Sequence, residues 1–178
     1  MNFKNIAISG DTGTGKTTLA KKLAKKLGWQ HLSTGEYFRK WHGEHGIPLE
    51  KTGEIPEEVD KEIDFGYQTK MQDEEHIIFE SRLSGWLSKN FPFVFRIICI
   101  TDFEVAMERV SKRDRISIEE AKEKSQERSK ALQEKFENLY GVKNFLDPEY
   151  FNLVVDTTNM DPLETLEFVL DALPPEAP

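Results

Sequence analysis

The stretch from Ser9 to Thr18, SGDTGTGKTT, constrains this chain more than any other. Three glycines and a lysine stand directly behind the apolar run Ile6-Ala7-Ile8 and directly ahead of Leu19, Leu23 and Leu27, which recur at helical spacing. A strand, a glycine loop and a helix follow in that order, and Gly28 stops the helix. Gly10, Asp11, Thr12, Gly13, Thr14, Gly15, Lys16 and Thr17 fit G-x-x-x-x-G-K-[ST] at every fixed position. Glycines let such a backbone curl until successive N–H groups, together with the positive end of the helix, face one anion. The pattern predicts a cradle over residues 10–18, Thr18 included, for the phosphate chain of a nucleoside triphosphate. Lys16 would reach the β- and γ-phosphates, and the Thr17 hydroxyl is a suitable hard oxygen ligand for Mg2+.

The rest of the chain repeats the alternation. Residues 3–9 read as the first strand, His31-Leu32-Ser33 as a short second, HIIFE (76–80) as a third, FRIICIT (95–101) as a fourth and LVVDT (153–157) as a fifth. Helical patterns lie between them, including 103–110 and 118–139. Ser33 and Glu36 have capping-box spacing for a helix carrying Tyr37, Phe38 and Trp41, and 46–72 reads as an excursion of short helices. Asp161 can cap the last helix, with Pro162 at its first position and Glu164 three residues after the cap, and 174–178 reads as a tail without structure. Five β-rich runs alternating with helices predict an α/β fold, a parallel sheet wrapped on both faces with right-handed crossovers.

At 178 residues and 38% hydrophobic content, the chain suits one domain with one sizeable core. A net charge of −8 argues against a general nucleic-acid or acidic-membrane binder, so an anion site must be local. The single cysteine, Cys99, sits inside a strand-like run, which excludes a disulfide within the chain and a thiolate metal cluster and predicts a small buried core residue. The N-terminal residues lack the apolar core of a signal peptide, and the longest apolar run, 91–100, is too short to span a bilayer and contains Pro92 and Arg96. A cytoplasmic protein, monomeric by size, is the expectation. His31, His42, His45 and His76 show no ligand spacing.

Several cations stand where a phosphate would be met. Arg82 lies two residues beyond the third strand and Arg39 on the helix after the second, both on the side where open α/β sheets bind ligands. Arg109, Lys112, Arg113 and Arg115 place four cations in seven residues between two helical patterns. They form either a lid over the triphosphate or solvated charges paired with Glu104, Glu108 and Asp114. Arg128 shares an inward stripe with Ile118, Ala121, Ser125, Leu132 and Phe136 and so needs an anion, either a structural carboxylate or a transferring phosphate. The other Glu and Lys residues of that helix read as its wet face. Glu80, closing the third strand, is either the acid that orients the waters of Mg2+ or an ordinary surface glutamate.

Four segments together resemble nucleoside monophosphate kinases: the glycine loop, STGEYFR (33–39), FESRLSGW (79–86) and ERVSKRD (108–114). The pattern is most similar to the short cytidylate kinases of archaea, whose E-G-R-L-A-G-W and D-x-x-I-D stretches match Glu80 to Trp86 and Asp60-Lys61-Glu62-Ile63-Asp64; the similarity covers roughly residues 4–158. The resemblance implies a P-loop three-layer sandwich with strand order 2-3-1-4-5. It implies one domain over 1–178, with a monophosphate-binding excursion near 35–75 and a short lid near 109–118. It also implies ATP- and Mg2+-dependent phosphorylation of CMP or dCMP with release of ADP.

Carried over by position, Ser33, Arg39, Asp60, Asp64 and Arg82 fall on the acceptor, and Arg109, Arg113 and Arg128 on the transferring phosphoryl group. Asp60 and Asp64 are one helical turn apart, and a carboxylate accepts from the exocyclic amine of cytosine where uracil presents an acceptor. Alternatively, the pair belongs to an exposed acidic helix with Glu57, Glu58 and Glu62. Ser81 and Ser84 depart from the family pattern, which has glycine and alanine there. Rival readings are an adenylate or other small-molecule kinase, and a binding switch that uses ATP without phosphorylating an acceptor.

Overall fold

β1 (Asn5–Gly10) is buried along its whole length with no alternation of exposed residues, which marks it as the centre of a sheet covered on both faces. The computed structural model describes residues 3–174. Residues 1–2 and 175–178, the latter most of the expected tail, lie outside the described residues. β2 (Gln30–Ser33), β3 (Ile77–Glu80), β4 (Val94–Ile100) and β5 (Leu153–Asp156) complete a five-stranded parallel sheet in the order 2-3-1-4-5. The helices are α1 (Lys16–Leu27), α2 (Thr34–His45), α3 (Glu57–Asp73), α4 (Ser84–Leu87), α5 (Phe103–Asp114), α6 (Ile118–Tyr140) and α7 (Pro162–Ala172).

The period of two along each strand divides the core into two layers. Ile6, Ile8, Ile97, Cys99 and Val155 pack with Leu19, Leu23, Leu166 and Val169 of α1 and α7. Ala7, Ile77, Phe79 and Val94 pack on the opposite side with Met71, Leu83, Leu87, Leu132 and Phe136. Cys99 is a core residue as expected, and burial pushes its thiol up to about 12, where it carries no thiolate at neutral pH. No helix among the described residues is long and apolar enough to cross a membrane.

Local signals placed most boundaries. Asp161 caps α7 through the amides of Leu163 and Glu164, while the Glu164 carboxylate accepts from the Asp161 amide, a complete capping box. Ser33 and Ser117 cap α2 and α6 by accepting from the amides of Glu36 and Glu120. Two expectations are corrected. Residues 46–72 hold a 3-10 turn (Leu49–Glu54) followed by the 17-residue α3, which continues through Gly66 because its buried residues Asp60, Asp64 and Met71 recur on one inward face and tertiary packing overrides local propensity. α5 runs on to Asp114, so Arg109, Lys112 and Arg113 lie on the helix. Only Arg115, the left-handed C-cap, belongs to the connection.

In-register pairing brings the functional ends together. Glu80 stands opposite Ile8 of β1 and Ser33 of β2, and Gly10 stands opposite Cys99 of β4. Gly13 shows how tightly α5 closes on the loop. Its φ is +81°, and a Cβ there would lie 2.5 Å from the Ala106 carbonyl oxygen and 2.9 Å from the Ala106 Cβ. Gly13→Ala is expected to lose more than about 1 kcal/mol and as much as ~3 kcal/mol of stability, read as a lower urea midpoint, because it combines left-handed strain with overpacking.

Candidate active site

α1 begins without a side-chain cap. Its N-cap residue is Gly15, at φ +82°, whereas α2, α5, α6 and α7 each have a side chain accepting from their first amides. The first N–H groups of α1 are therefore free to hold an anion, and the helix dipole favours one. The loop is fixed from behind. Thr157 Oγ1 donates to the Thr14 carbonyl at 3.0 Å, the Thr14 hydroxyl donates to the Asp11 carbonyl at 2.8 Å, and the Arg109 guanidinium reaches the Gly13 carbonyl at 3.4 Å.

Two cavities meet at this loop. One is an open cleft of about 630 Å³ lined by Gly13, Gly15, Lys16, Thr17, Thr18, Arg39, Arg109, Arg113, Arg128 and Thr157, among others. The other is lined by Thr12, Lys16, Thr17, Arg39, Thr52, Asp60, Asp64, Glu80, Ser81, Arg82, Arg113, Arg128, Leu132 and Phe136, among others. Lys16, Thr17, Arg39, Arg113 and Arg128 border both. Lys16, Arg39, Asp60, Asp64, Glu80, Arg82, Arg109, Arg113 and Arg128 are thus gathered around the two cavities from α1, α2, α3, the end of β3, α5 and α6, whereas Ser33, Lys112 and Arg115 line neither.

Lys16 donates to the Asp11 carbonyl at 3.2 Å and lies 4.0 Å from Glu80, and burial lowers its pKa to about 8. Glu80, at 1% exposure, is no surface glutamate. Burial works to raise its pKa, but the contacts of His31, Lys16, Ser33 and Thr17 outweigh it and bring the value down to about 2. Thr17 Oγ1 donates to Glu80 Oε1 at 3.0 Å, and Ser33 Oγ donates to Oε2 at 2.6 Å. A hydroxyl and an ionised carboxylate side by side fit Mg2+, which takes one or two protein oxygens and completes its shell with water and phosphate. Ser33 itself lines neither cavity; its hydroxyl serves Glu80 and the start of α2.

Arg82 is buried and anchored to the loop, 2.7 Å from Asp11 Oδ1 and donating to the Thr12 hydroxyl. Arg128 Nε is buried without a hydrogen-bond partner among the described residues. Burial first, and then repulsion from Arg82, Arg39 and Arg113, lowers the Arg128 pKa to about 9. No structural carboxylate bonds its guanidinium among the described residues. Arg113 holds Asp114 through two hydrogen bonds of 2.7 Å, and Lys112 lies 3.9 Å from Glu108, so part of the expected cation cluster is solvated ion pairs. Ser81, the departure from the family pattern, uses its hydroxyl to accept from the Leu83 amide at 3.0 Å.

Asp60 and Asp64 are not part of an exposed acidic face, being 3% and 4% exposed. Two partners on α6 escaped the sequence reading. Lys135, assigned to the wet face of α6, is buried. Its ammonium sits against the Asp60 carboxylate and donates to the carbonyls of Thr52 and Ile55 at 2.9 and 3.2 Å. The Tyr140 hydroxyl donates to Asp64 Oδ2 at 2.9 Å. Lys135 lies three and four residues from Leu132 and Leu139, which is the only signal that could have placed it inward.

A parallel sheet in this order, with an uncapped glycine loop that ends in G-K-T at its centre, defines the P-loop class of nucleotide-binding phosphotransferases. Comparison with known proteins narrows this. A family profile described as an AAA domain matches residues 6–133. The cytidylate kinase of Pyrococcus abyssi is 37% identical over 160 residues, 88% of this chain and 86% of that one. The cytidylate kinase of Haloarcula marismortui is 30% identical over 176 residues, covering 97% and 91%. The chain belongs to the cytidylate kinase family. The fold is shared with deoxyadenosine kinase from M. mycoides with bound dATP, with a TM-score of 0.59 and 22% identity over 94% of this chain and 98% of that one. It is also shared with shikimate kinase from Acinetobacter baumannii in complex with shikimate, with a TM-score of 0.60 and 17% identity over 96% and 92%.

Burial raises the Asp64 pKa to about 7, against the lowering effect of the Tyr140 hydrogen bond. The folded state therefore holds this proton more tightly than the unfolded chain, and the stability it confers is present at low pH and lost as pH rises through 7. Asp64→Asn is expected to match the parent protein below about pH 4 and to gain on it by about 2–3 kcal/mol between pH 5 and pH 8, measured by denaturant unfolding across that range.

Proposed function

We propose that this protein transfers the γ-phosphoryl group of ATP to a pyrimidine nucleoside monophosphate, CMP or dCMP, releasing ADP and CDP or dCDP. The observation that carries the reading is the junction of the two cavities. The first, at about 630 Å³, has room for a nucleotide; the second, at about 80 Å³, is a narrow recess that must widen to admit an acceptor, and the residues common to both are a lysine, a hydroxyl and three arginines, the groups that stabilise a migrating phosphoryl. The cytidylate kinases to which the chain is similar support CMP as the acceptor.

In this reading the triphosphate lies on the free amides of α1 with Lys16 at its β- and γ-phosphates. Thr17 and Glu80 hold Mg2+, which when bound neutralises charge on the phosphate oxygens. Ser33 and His31 steady Glu80, and Ser33 is thereby read as a support for the metal site. Arg39 and Arg82 hold the acceptor's phosphate, and Asp60 and Asp64 face its base. Arg128 and Arg113 reach the phosphoryl group as it passes, and Arg109, tied to the loop and to Thr157, braces the donor side. The buried, unpartnered Nε of Arg128 gains an anion only when substrate is present. Transfer is in line between two bound nucleotides, so no protein nucleophile is required. One chain supplies every one of these groups, consistent with a monomer.

ADP formation from MgATP with CMP, dCMP, UMP, AMP or GMP offered separately tests the reading. Stimulation by CMP or dCMP is expected. Stimulation by AMP alone would replace the base assignment, and ATP binding with no stimulation by any acceptor would favour a switch. Arg82→Ala is expected to lower kcat/KM for the acceptor by about 10²–10³-fold while changing MgATP affinity far less. Near-normal turnover in that variant would remove Arg82 from the acceptor site.

A further inference from the structure

Asp60 and Asp64 border the acceptor cavity but not the triphosphate cleft, and each is gripped from α6 by a residue that lines neither. Lys135 takes Asp60, and Tyr140 takes Asp64. The Tyr140 ring cannot swing freely. It packs against Phe65, Trp86 and Phe136 with centroids 5.7, 5.7 and 6.1 Å away, so the direction of its hydroxyl is set by the aromatic cluster. Only Oδ2 of Asp64 is taken; Oδ1 accepts from no donor among the described residues.

We propose that Tyr140 is the specificity-positioning residue of the acceptor pocket: by donating to Asp64 it governs whether that carboxyl presents an acceptor or a donor to the base, so that discrimination between an amino-bearing and a keto-bearing pyrimidine tightens as pH rises. The inference rests on the reading of Asp60 and Asp64 as the base-facing pair of a pyrimidine nucleotide kinase. An ionised Asp64 is an acceptor only. It pairs with the exocyclic amine of cytosine and repels the carbonyl oxygen that uracil carries at the same place. A neutral Asp64 offers one O–H and one carbonyl oxygen. It can donate to that oxygen while accepting from the ring N–H of uracil, and it serves cytosine equally by donating to the ring nitrogen. Neutral carboxyl tolerates both bases, and carboxylate rejects one.

The surroundings put this choice near neutrality. Asp64 is acted on by Asp60 from its own helix and by Tyr140 and Lys135 from α6; Lys16, Arg39, Glu80, Arg82, Arg113 and Arg128 are the other charged groups that line the same cavity. Burial is the largest influence and raises the Asp64 pKa. Tyr140 opposes it through the hydrogen bond, Asp60 adds to it by repulsion, and Lys135 opposes it by attraction, with the balance at about 7. Removing the tyrosine hydroxyl takes away one of the two groups that favour ionisation.

The experiment is the ratio of kcat/KM for CMP to that for UMP across roughly pH 5.5 to 8.5, a window in which neither base ionises. Ionisation of the 5′-phosphate is common to both substrates and cancels in the ratio. The unsubstituted protein is expected to show the ratio rising about tenfold or more, with its midpoint near 7. Tyr140→Phe keeps the ring and is expected to move the midpoint to higher pH, leaving the KM for MgATP unchanged, whereas a merely structural role would lower both acceptors alike and leave the midpoint in place. Asp64→Asn, which carries both donor and acceptor at every pH, is expected to give a flat, low ratio. A flat ratio in the unsubstituted protein with CMP turnover intact, a pH-dependent ratio surviving in Asp64→Asn, or an unmoved midpoint in Tyr140→Phe overturns the inference. Should Tyr140→Phe fail to fold, a ring-fluorinated tyrosine at 140, a stronger donor, is expected to move the midpoint to lower pH, and an unmoved midpoint there equally overturns the inference. Phosphorylation of AMP with no turnover of either pyrimidine overturns the functional reading itself, an outcome distinct from a flat ratio.

Discussion

A helix that starts without a side-chain cap leaves its first backbone N–H groups unsatisfied, and in α1 that deficit is placed where every other functional element converges. Gly15 leaves the amides bare, Gly13 lets α5 approach to contact, and Thr157 and Arg109 hold the loop from the β5 side. None of these arrangements would be stable as a free loop. They exist because β1 is buried between β3 and β4, which brings Glu80 and Cys99 into register with the loop's base. The hydrophobic core thus does electrostatic work at one remove, by fixing where the dipole of α1 points.

Once the loop is positioned, the charges around it are left unbalanced. Arg39, Arg82, Arg113, Arg128 and Lys16 border the acceptor side, and the arginines lower the pKa of Arg128 by mutual repulsion on top of burial. The chain as a whole is acidic, so this local excess of positive charge is held against the trend of the surface. Such a cluster of like charges works against the folded state and favours the binding of anions there. The two acids kept nearby have different jobs. Asp11 neutralises Arg82 from the loop, and Glu80 is held ionised by four neighbours beside Thr17.

The far end of the acceptor cavity is organised by different physics. Asp60 and Asp64 are carboxylates in an apolar wall that includes Leu132 and Phe136, and each is made tolerable by one donor from α6. A helix that also supplies Arg128 therefore spans from the phosphate junction to the base wall. Through it, the arginine-rich junction and the wall that holds Asp60 and Asp64 are tied to one element.

The sequence by itself determined the alternation of strand and helix, the glycine loop, the caps of α2 and α7, and the inward facing of Arg128, because each depends on residues within a few positions of one another. Strand order was legible through family resemblance, and the structure bears out the order 2-3-1-4-5; topology alone put Arg39 and Arg82 on the ligand side of the sheet, and both line the second cavity. Only the tertiary structure decided that Ser33 serves Glu80, that α5 carries most of the cations expected in a connection, and that Lys135 and Tyr140 stand behind Asp60 and Asp64. Those contacts join positions 47 to 76 residues apart, and a lysine on a helix rich in Lys and Glu looks like solvated surface until the opposing carboxylate is known. Local periodicity specifies which way a side chain points along its own element; what it meets there is settled by how the elements pack.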